Sequence, residues 1–377
     1  MFTLTVGRKL KKINWWWTSF NGNDAQALKE AVNNGKISEG SKTAEFEEMF
    51  ADYLNVPYAV ATTSGSVALL IACMVAKIDE GDEVILPDRT WVATANAPYF
   101  LKSKPVLVDC SPELPTIDCS LIQSMISDCS KAIVPVHING RDANIDQINR
   151  IAKQNKLTVI EDAAQALGSK NEFGYLGTQA EIGCFSLGIT KLVPAGQGGV
   201  IVTKEKTLYD QIKLIKNHGV VDNYTETWNE FGFNFKFTDL QATLAIAQLK
   251  KIDQKIEQLK KIYEIYKNGI SNLQSVKIIP VNIKKGEIPL WVEAISPHRT
   301  KILKYLKSHG VNCRPYHPSL HTCKYFSSTT SFENSTRFQD QAFILPCGPD
   351  QPIENVYFTT QKLCEFDEEY QASSLVD

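Results

Sequence analysis

Seven short apolar runs, alternating with stretches of helical periodicity, constrain this chain more than any other feature. They are Ala59–Ala61, Glu83–Leu86, Pro105–Val108, Ala132–Val136, Thr158–Ile160, Gly183–Leu187 and Gly199–Thr203. A strand covered by helices on both faces reads as a nearly continuous apolar run, whereas a half-exposed strand alternates polar with apolar. The pattern therefore predicts an α/β fold with a mainly parallel, seven-stranded sheet. Ahead of the first run, Asp24–Asn33 and Thr43–Tyr53 read as amphipathic helices. The second buries Phe46, Met49 and Phe50 at spacings of three and four.

The pattern changes near residue 238. Thr238-Asp239-Leu240-Gln241 matches a capping box, in which the Thr hydroxyl and the Gln side chain satisfy free backbone N–H groups. A long helical stretch follows, with Ile252, Ile256, Leu259, Tyr263, Tyr266, Ile270 and Leu273 at alternating steps of four and three. The repeat is short for a coiled coil, so it reads as a helix leaving a large unit for a smaller one. From about residue 275 short strands mix with helices such as Arg299–His309, which suits a small α+β unit. The expected division of the 377 residues is a large α/β domain at 1–250, including the N-terminal segment, and a small domain at 251–377 with its connecting helix.

Charge and cysteine usage narrow the partners. Forty Lys+Arg against 42 Asp+Glu leave a net charge of −2, so no whole-protein field favours nucleic acid or an anionic membrane. A small molecule is the expected partner. Nine cysteines without a C-x-x-C pair indicate neither a disulfide frame nor a zinc ribbon, and suit a reducing cytoplasm. Arg8, Lys9, Lys11 and Lys12 precede Trp15, Trp16 and Trp17, but the apolar run of a signal peptide or membrane span does not follow. The tryptophans are expected to pack on their own protein rather than on a membrane surface.

Three loops after strand ends carry chemistry. In Cys184-Phe-Ser-Leu-Gly-Ile-Thr-Lys-Leu-Val-Pro-Ala-Gly-Gln-Gly-Gly199 a strand ends at Ser186, Lys191 follows, and a glycine-rich turn re-enters a strand. A lysine held partly neutral can bond an aldehyde cofactor; taken alone, it reads as one more solvated surface lysine. Thr158-Val-Ile-Glu-Asp-Ala-Ala-Gln ends a strand on Asp162. A carboxylate there can keep a heteroaromatic nitrogen protonated, or merely cap a helix. Thr62-Thr-Ser-Gly-Ser places Gly65 and Ser66 at a helix start, where free N–H groups attract phosphate. Trp91 follows another strand end and can stack on a flat ring or pack in the core.

Taken together these segments resemble the pyridoxal-phosphate-dependent nucleotide-sugar aminotransferases of the DegT/DnrJ family. The likeness runs from about Gly35 to Phe366. It is carried by Ser64-Gly65-Ser66, Gly81-Asp82-Glu83-Val84-Ile85, Val136-His137 with Gly140, Glu161-Asp162-Ala163-Ala164-Gln165, Phe185-Ser186 with Lys191 and Gly198-Gly199, and Gly232-Phe233-Asn234. The resemblance implies an aspartate-aminotransferase-like fold. It makes Lys191 the Schiff-base lysine, pairs Asp162 with the pyridine nitrogen, stacks Trp91 on the ring and puts Gln165 beside the ring hydroxyl. It sets Gly65, Ser66 and Ser186 around the phosphate, and Asn234 on the phosphate of a neighbouring subunit, so that a homodimer completes each site. His321, Arg314 and His317 belong to the family's substrate-facing segment, and Lys236 and Arg89 are further candidates for the diphosphate. His137 is expected to be structural. No metal is expected, because Pro315 and Pro318 break any helix that would align His317 with His321.

Two departures concern the substrate. Gln197 stands where the family has glutamate, and Lys236 where it has arginine, which keeps a charge but loses the two-pronged grip. The resemblance implies transfer of an amino group, from glutamate, to a keto group of a nucleotide-linked 4-keto-6-deoxyhexose. A cyclitol aminotransferase, or a non-catalytic regulator on the same scaffold, is the alternative. Relatives that remove a hydroxyl replace the lysine by histidine, so Lys191 argues against that chemistry.

Overall fold

A computed structural model describes residues 12–221, 227–228, 230–325 and 330–374. Arg8, Lys9 and Lys11 therefore lie outside the described residues. The strands are β1 Tyr58–Thr62, β2 Glu83–Pro87, β3 Lys104–Val108, β4 Ser130–Ile133, β5 Thr158–Asp162, β6 Lys170–Asn171, β7 Gly174–Tyr175, β8 Ile182–Ser186, β9 Gly199–Thr203, β10 Lys277–Ile278, β11 Val292–Ile295, β12 Arg314–Pro315 and β13 Ala342–Leu345. The helices are α1 Gly22–Asn33, α2 Ser41–Leu54, α3 Gly65–Val75, α4 Ala93–Phe100, α5 Cys119–Ile122, α6 Ile145–Asn155, α7 Lys206–Lys216, α8 Asp239–Leu249, α9 Ile252–Gly269, α10 Arg299–Ser308, α11 Glu333–Gln341 and α12 Ile353–Ser374.

The seven apolar runs form one sheet in the order β1-β9-β8-β5-β4-β2-β3. Only β9 runs antiparallel to its neighbours. Side chains alternate between two buried faces, as a doubly covered sheet requires. Val84, Leu86, Ile160 and Ile201 join a core with α3, α4 and α7. Ile85, Val159, Val200 and Val202 join a second core with α2, α6 and α8. Because β1, β2, β5 and β8 are parallel, their carboxyl ends meet along one edge.

A second, antiparallel sheet of four strands, β10-β11-β13-β12, is packed by α9, α10 and α12. Residues 13–17 lie beside it, with Ile13 bridged to Val311 and Trp16 to Cys347. The stretch after Thr238 is two helices that turn at Lys250–Lys251. The Lys251 ammonium pairs with Asp24 at 2.9 Å and ties that corner to the start of α1. Ile270 and Leu273, expected on the same apolar seam, lie beyond the end of α9. Thr238 caps α8 by accepting from the Gln241 N–H, while the Gln241 side chain accepts from the Thr238 hydroxyl at 2.9 Å, in place of the Thr238 backbone N–H of a capping box, and donates to the Gln197 carbonyl at 3.0 Å. Among the described residues no helix is long and apolar enough to cross a membrane.

Candidate active site

The edge where β1, β2, β5 and β8 end opens onto a cavity of about 310 Å³, closed from the other side by β11, β12 and β13. Nine of the sequence-derived residues line it: Gly65, Ser66, Trp91, Asp162, Gln165, Ser186, Lys191, Arg314 and His317.

The turn from β1 into α3 is tight. Ser64 accepts from the Val67 N–H at 3.2 Å and caps α3. A Cβ added at Gly65 would lie 2.9 Å from the Ser186 Cβ. That close approach sets the first amides of α3 against the Ser186 hydroxyl, an arrangement suited to a phosphate.

Asp162 is 4% exposed. Its Oδ2 accepts from the Thr94 hydroxyl at 2.8 Å and its Oδ1 from the Ala164 N–H at 3.1 Å. Burial pushes its pKa up, against the pull of those two donors and of the Lys191 and His137 charges. A buried carboxylate in that condition is stabilised by a cationic N–H entering from the cavity. Lys191 is its counterpart on the loop after β8. Burial lowers its pKa to about 8, Asp162 opposes that shift and Arg314 adds to it. Its Nζ sits 5.2 Å from the centroid of the Trp291 ring. An amine of this kind is substantially neutral at mildly alkaline pH and can act as a nucleophile or base.

Gln165 is fixed by accepting from the Asn139 N–H at 2.9 Å. The Trp91 ring is half-exposed and meets His317 edge-on at 5.7 Å, leaving a face for a flat ring. Burial and then the Arg89 charge depress His317 to a pKa of about 3, so it is neutral at physiological pH.

Four predicted residues stand apart from the cavity wall. Arg89 is fully buried and donates to the His317 carbonyl at 2.9 Å and the Ser319 hydroxyl at 3.1 Å, under the Tyr316 ring. The His321 ring bonds Asp88 at 2.7 Å and stacks on Phe332. Asn234 is exposed, and Lys236 reaches the Asn217 side chain at 3.0 Å, both beside the end of β1. His137 is buried against Glu161 at 2.9 Å. Glu161 also accepts the N–H groups of Gly177, Gln179 and Ala180, which anchors β5.

Sequence reasoning missed Thr94, Trp291, Glu293 and Tyr316, all on the cavity wall. Glu293 is 1% exposed and pairs with Arg141 at 2.5 Å. Its only signal was a lone carboxylate inside the apolar run Leu290-Trp-Val-Glu-Ala-Ile295.

The residues present fit pyridoxal phosphate: an amine of lowered pKa, a buried acid short of a cationic partner, an accessible indole face, and a glycine turn too close for a side chain. Comparison with known proteins agrees. The model of the DegT/DnrJ/EryC1/StrS aminotransferase family matches residues 19–360. A GDP-perosamine synthase of Escherichia coli O157:H7 is 30% identical over 368 residues, covering 95% of this chain and 99% of that protein. A GDP-perosamine synthase of Caulobacter vibrioides is 31% identical over 306 residues, covering 79% of this chain and 82% of that protein. In fold, the chain is similar to the Helicobacter pylori aminotransferase PseC. The TM-score is 0.89 at 21% identity, with 95% of this chain and all of that one covered.

Proposed function

The chain belongs to the DegT/DnrJ/EryC1/StrS aminotransferase family, which works with pyridoxal phosphate, and from that premise we propose that it aminates a nucleotide-linked deoxysugar. The amino donor is glutamate, and the acceptor carries a keto group, as in a 4-keto-6-deoxyhexose. The relatives named GDP-perosamine synthase support a guanosine-diphosphate-linked acceptor.

When bound, the cofactor supplies a conjugated ring that spreads the charge left on a carbon losing its proton. Lys191 anchors it covalently through Nζ. The same Nζ, when free, would take the proton from the amino donor's α-carbon as a base and, as the resulting ammonium, hand that proton on as an acid. Asp162 pairs with the ring nitrogen and holds a proton there; Thr94 orients that carboxylate. Gly65, Ser66 and Ser186 hold the phosphate, Trp91 covers the ring, and Gln165 meets its hydroxyl.

In this reading the enzyme is a cytoplasmic homodimer in which Asn234 serves the partner's site, and Lys236 is a candidate for the sugar nucleotide's diphosphate. Its large unit spans 1–250 and its small unit 251–377. Exposed Trp228, Phe231 and Phe233, next to Asn234, support a covered face there.

The observation that carries the proposal is that Lys191 and Asp162 line one cavity, each with its charge disfavoured by burial. The test is incubation with pyridoxal phosphate, glutamate and a panel of nucleotide-linked keto sugars, followed by mass spectrometry. A product with the carbonyl oxygen replaced by an amine is expected, foremost from the GDP-linked member. No amine product from any sugar, with a cyclitol ketone aminated instead, would move the activity to that class.

A further inference from the structure

The tryptophans at 15–17 have no part in the chemistry above, yet two of them touch residues of its cavity wall. The Ile13 N–H donates to the Gly310 carbonyl at 2.9 Å, the Asn312 N–H to Ile13 at 2.9 Å, the Cys347 N–H to Trp15 at 2.8 Å, and the Trp17 N–H to Cys347 at 3.0 Å. Gly348, at φ +120°, passes so near that a Cβ there would lie 2.2 Å from the Trp17 carbonyl oxygen. The segment is thus pinned by isolated parallel bridges to Val311, just before β12, and Cys347, just after β13. Two half-buried indoles reach from it to residues of the cavity wall.

Trp16 Nε1 donates to the Ile189 carbonyl at 3.2 Å, on the loop that carries Lys191. The Trp15 ring centroid lies 4.8 Å from the Arg314 guanidinium carbon, and the Trp91 centroid lies 6.0 Å from it. Arg314 lines the cavity and forms no ion pair with any described acid. Of the acids on the wall, Glu293 is already paired with Arg141. A guanidinium whose faces meet aromatic rings keeps its in-plane N–H donors free for an oxyanion that accepts two parallel N–H bonds, as a carboxylate or a phosphate does.

We propose that Trp15 is a positioning residue that holds Arg314 with its N–H edge toward the cavity, and that this edge seats a substrate oxyanion. The oxyanion is the α-carboxylate of the amino donor or the diphosphate of the sugar nucleotide; the inference rests on the function proposed above. The N-terminal segment thereby becomes part of the substrate site, joined to the cofactor loop through Trp16.

The test compares the holoenzyme with Trp15→Leu, which keeps bulk but has no π face, Trp15→Phe, which keeps one, and Arg314→Ala. Calorimetry with glutarate and with GDP supplies two binding arms independent of turnover. Steady-state kinetics supplies KM and kcat. Trp15→Leu should weaken one arm and raise the matching KM by about 3–10-fold with kcat little changed, because a cation–π contact is worth that much. Trp15→Phe should recover most of the loss, and Arg314→Ala should move the same arm further. The arm that moves identifies the oxyanion. Wild-type values for Trp15→Leu in both arms, or for Arg314→Ala, would overturn the proposal, as would a fall in kcat at constant KM. A wild-type protein that binds either probe through Arg314 but transaminates nothing would instead sink the functional reading.

Discussion

Lys191 and Asp162 act on each other through charge before any substrate arrives. Burial disfavours both charged forms, lowering Lys191 to about 8 and raising Asp162, while their mutual attraction opposes each shift. In the cofactor-free protein the Lys191 amine is neutral only above its own pKa. Its reaction with an amine-directed reagent should therefore climb with pH and level off above about 8, whereas an ordinary lysine keeps climbing toward 10.5. Asp162→Asn removes the partner that stabilises the ammonium, so the midpoint should move to lower pH. A midpoint that rises in Asp162→Asn, or a wild-type rate still climbing past pH 10, would contradict the pairing. With cofactor bound, Asp162→Asn should lose most of the turnover rate, at least about 100-fold by analogy with other misplaced-proton variants.

Among the elements, those whose apolar pattern is local were the most legible. All seven strand runs are strands of one sheet, and the helices at 22–33 and 41–54 extend their predicted spans by one to two residues at one or both ends. The break at Lys250–Lys251 was not legible, since no Gly or Pro marks it; the long-range pair between Lys251 and Asp24 holds it. The same limit hid Glu293 and Tyr316, which reach the cavity only because the second sheet folds over the first. Arg89 and His321 carried the right chemistry for a ligand, but Ser319, Tyr316 and Asp88 were there to occupy them. The turn into α3 offers the sharpest test at this scale. Gly65→Ala puts a carbon 2.9 Å from the Ser186 Cβ, and the shift it forces should weaken cofactor binding by about 10-fold or more. The measurement is a titration of cofactor fluorescence; an unchanged affinity would mean the phosphate is held elsewhere.

For the whole molecule, the proposed dimer turns on the face around Asn234. Trp228, Phe231 and Phe233 are 73%, 66% and 48% exposed, a cluster larger than a solitary surface aromatic needs. Phe231→Glu places a charge in that cluster and should yield monomers by light scattering, with weakened cofactor binding because Asn234 no longer reaches a partner. A monomer that binds cofactor as tightly as the wild type would refute the shared site. The whole reading depends on the covalent role proposed for the Lys191 amine. Borohydride reduction of the cofactor-loaded protein, followed by peptide mapping, measures it directly. A single pyridoxyl adduct is expected on the peptide containing Lys191, absent from Lys191→Ala; an adduct on another lysine, or none in the wild type, would refute the assignment.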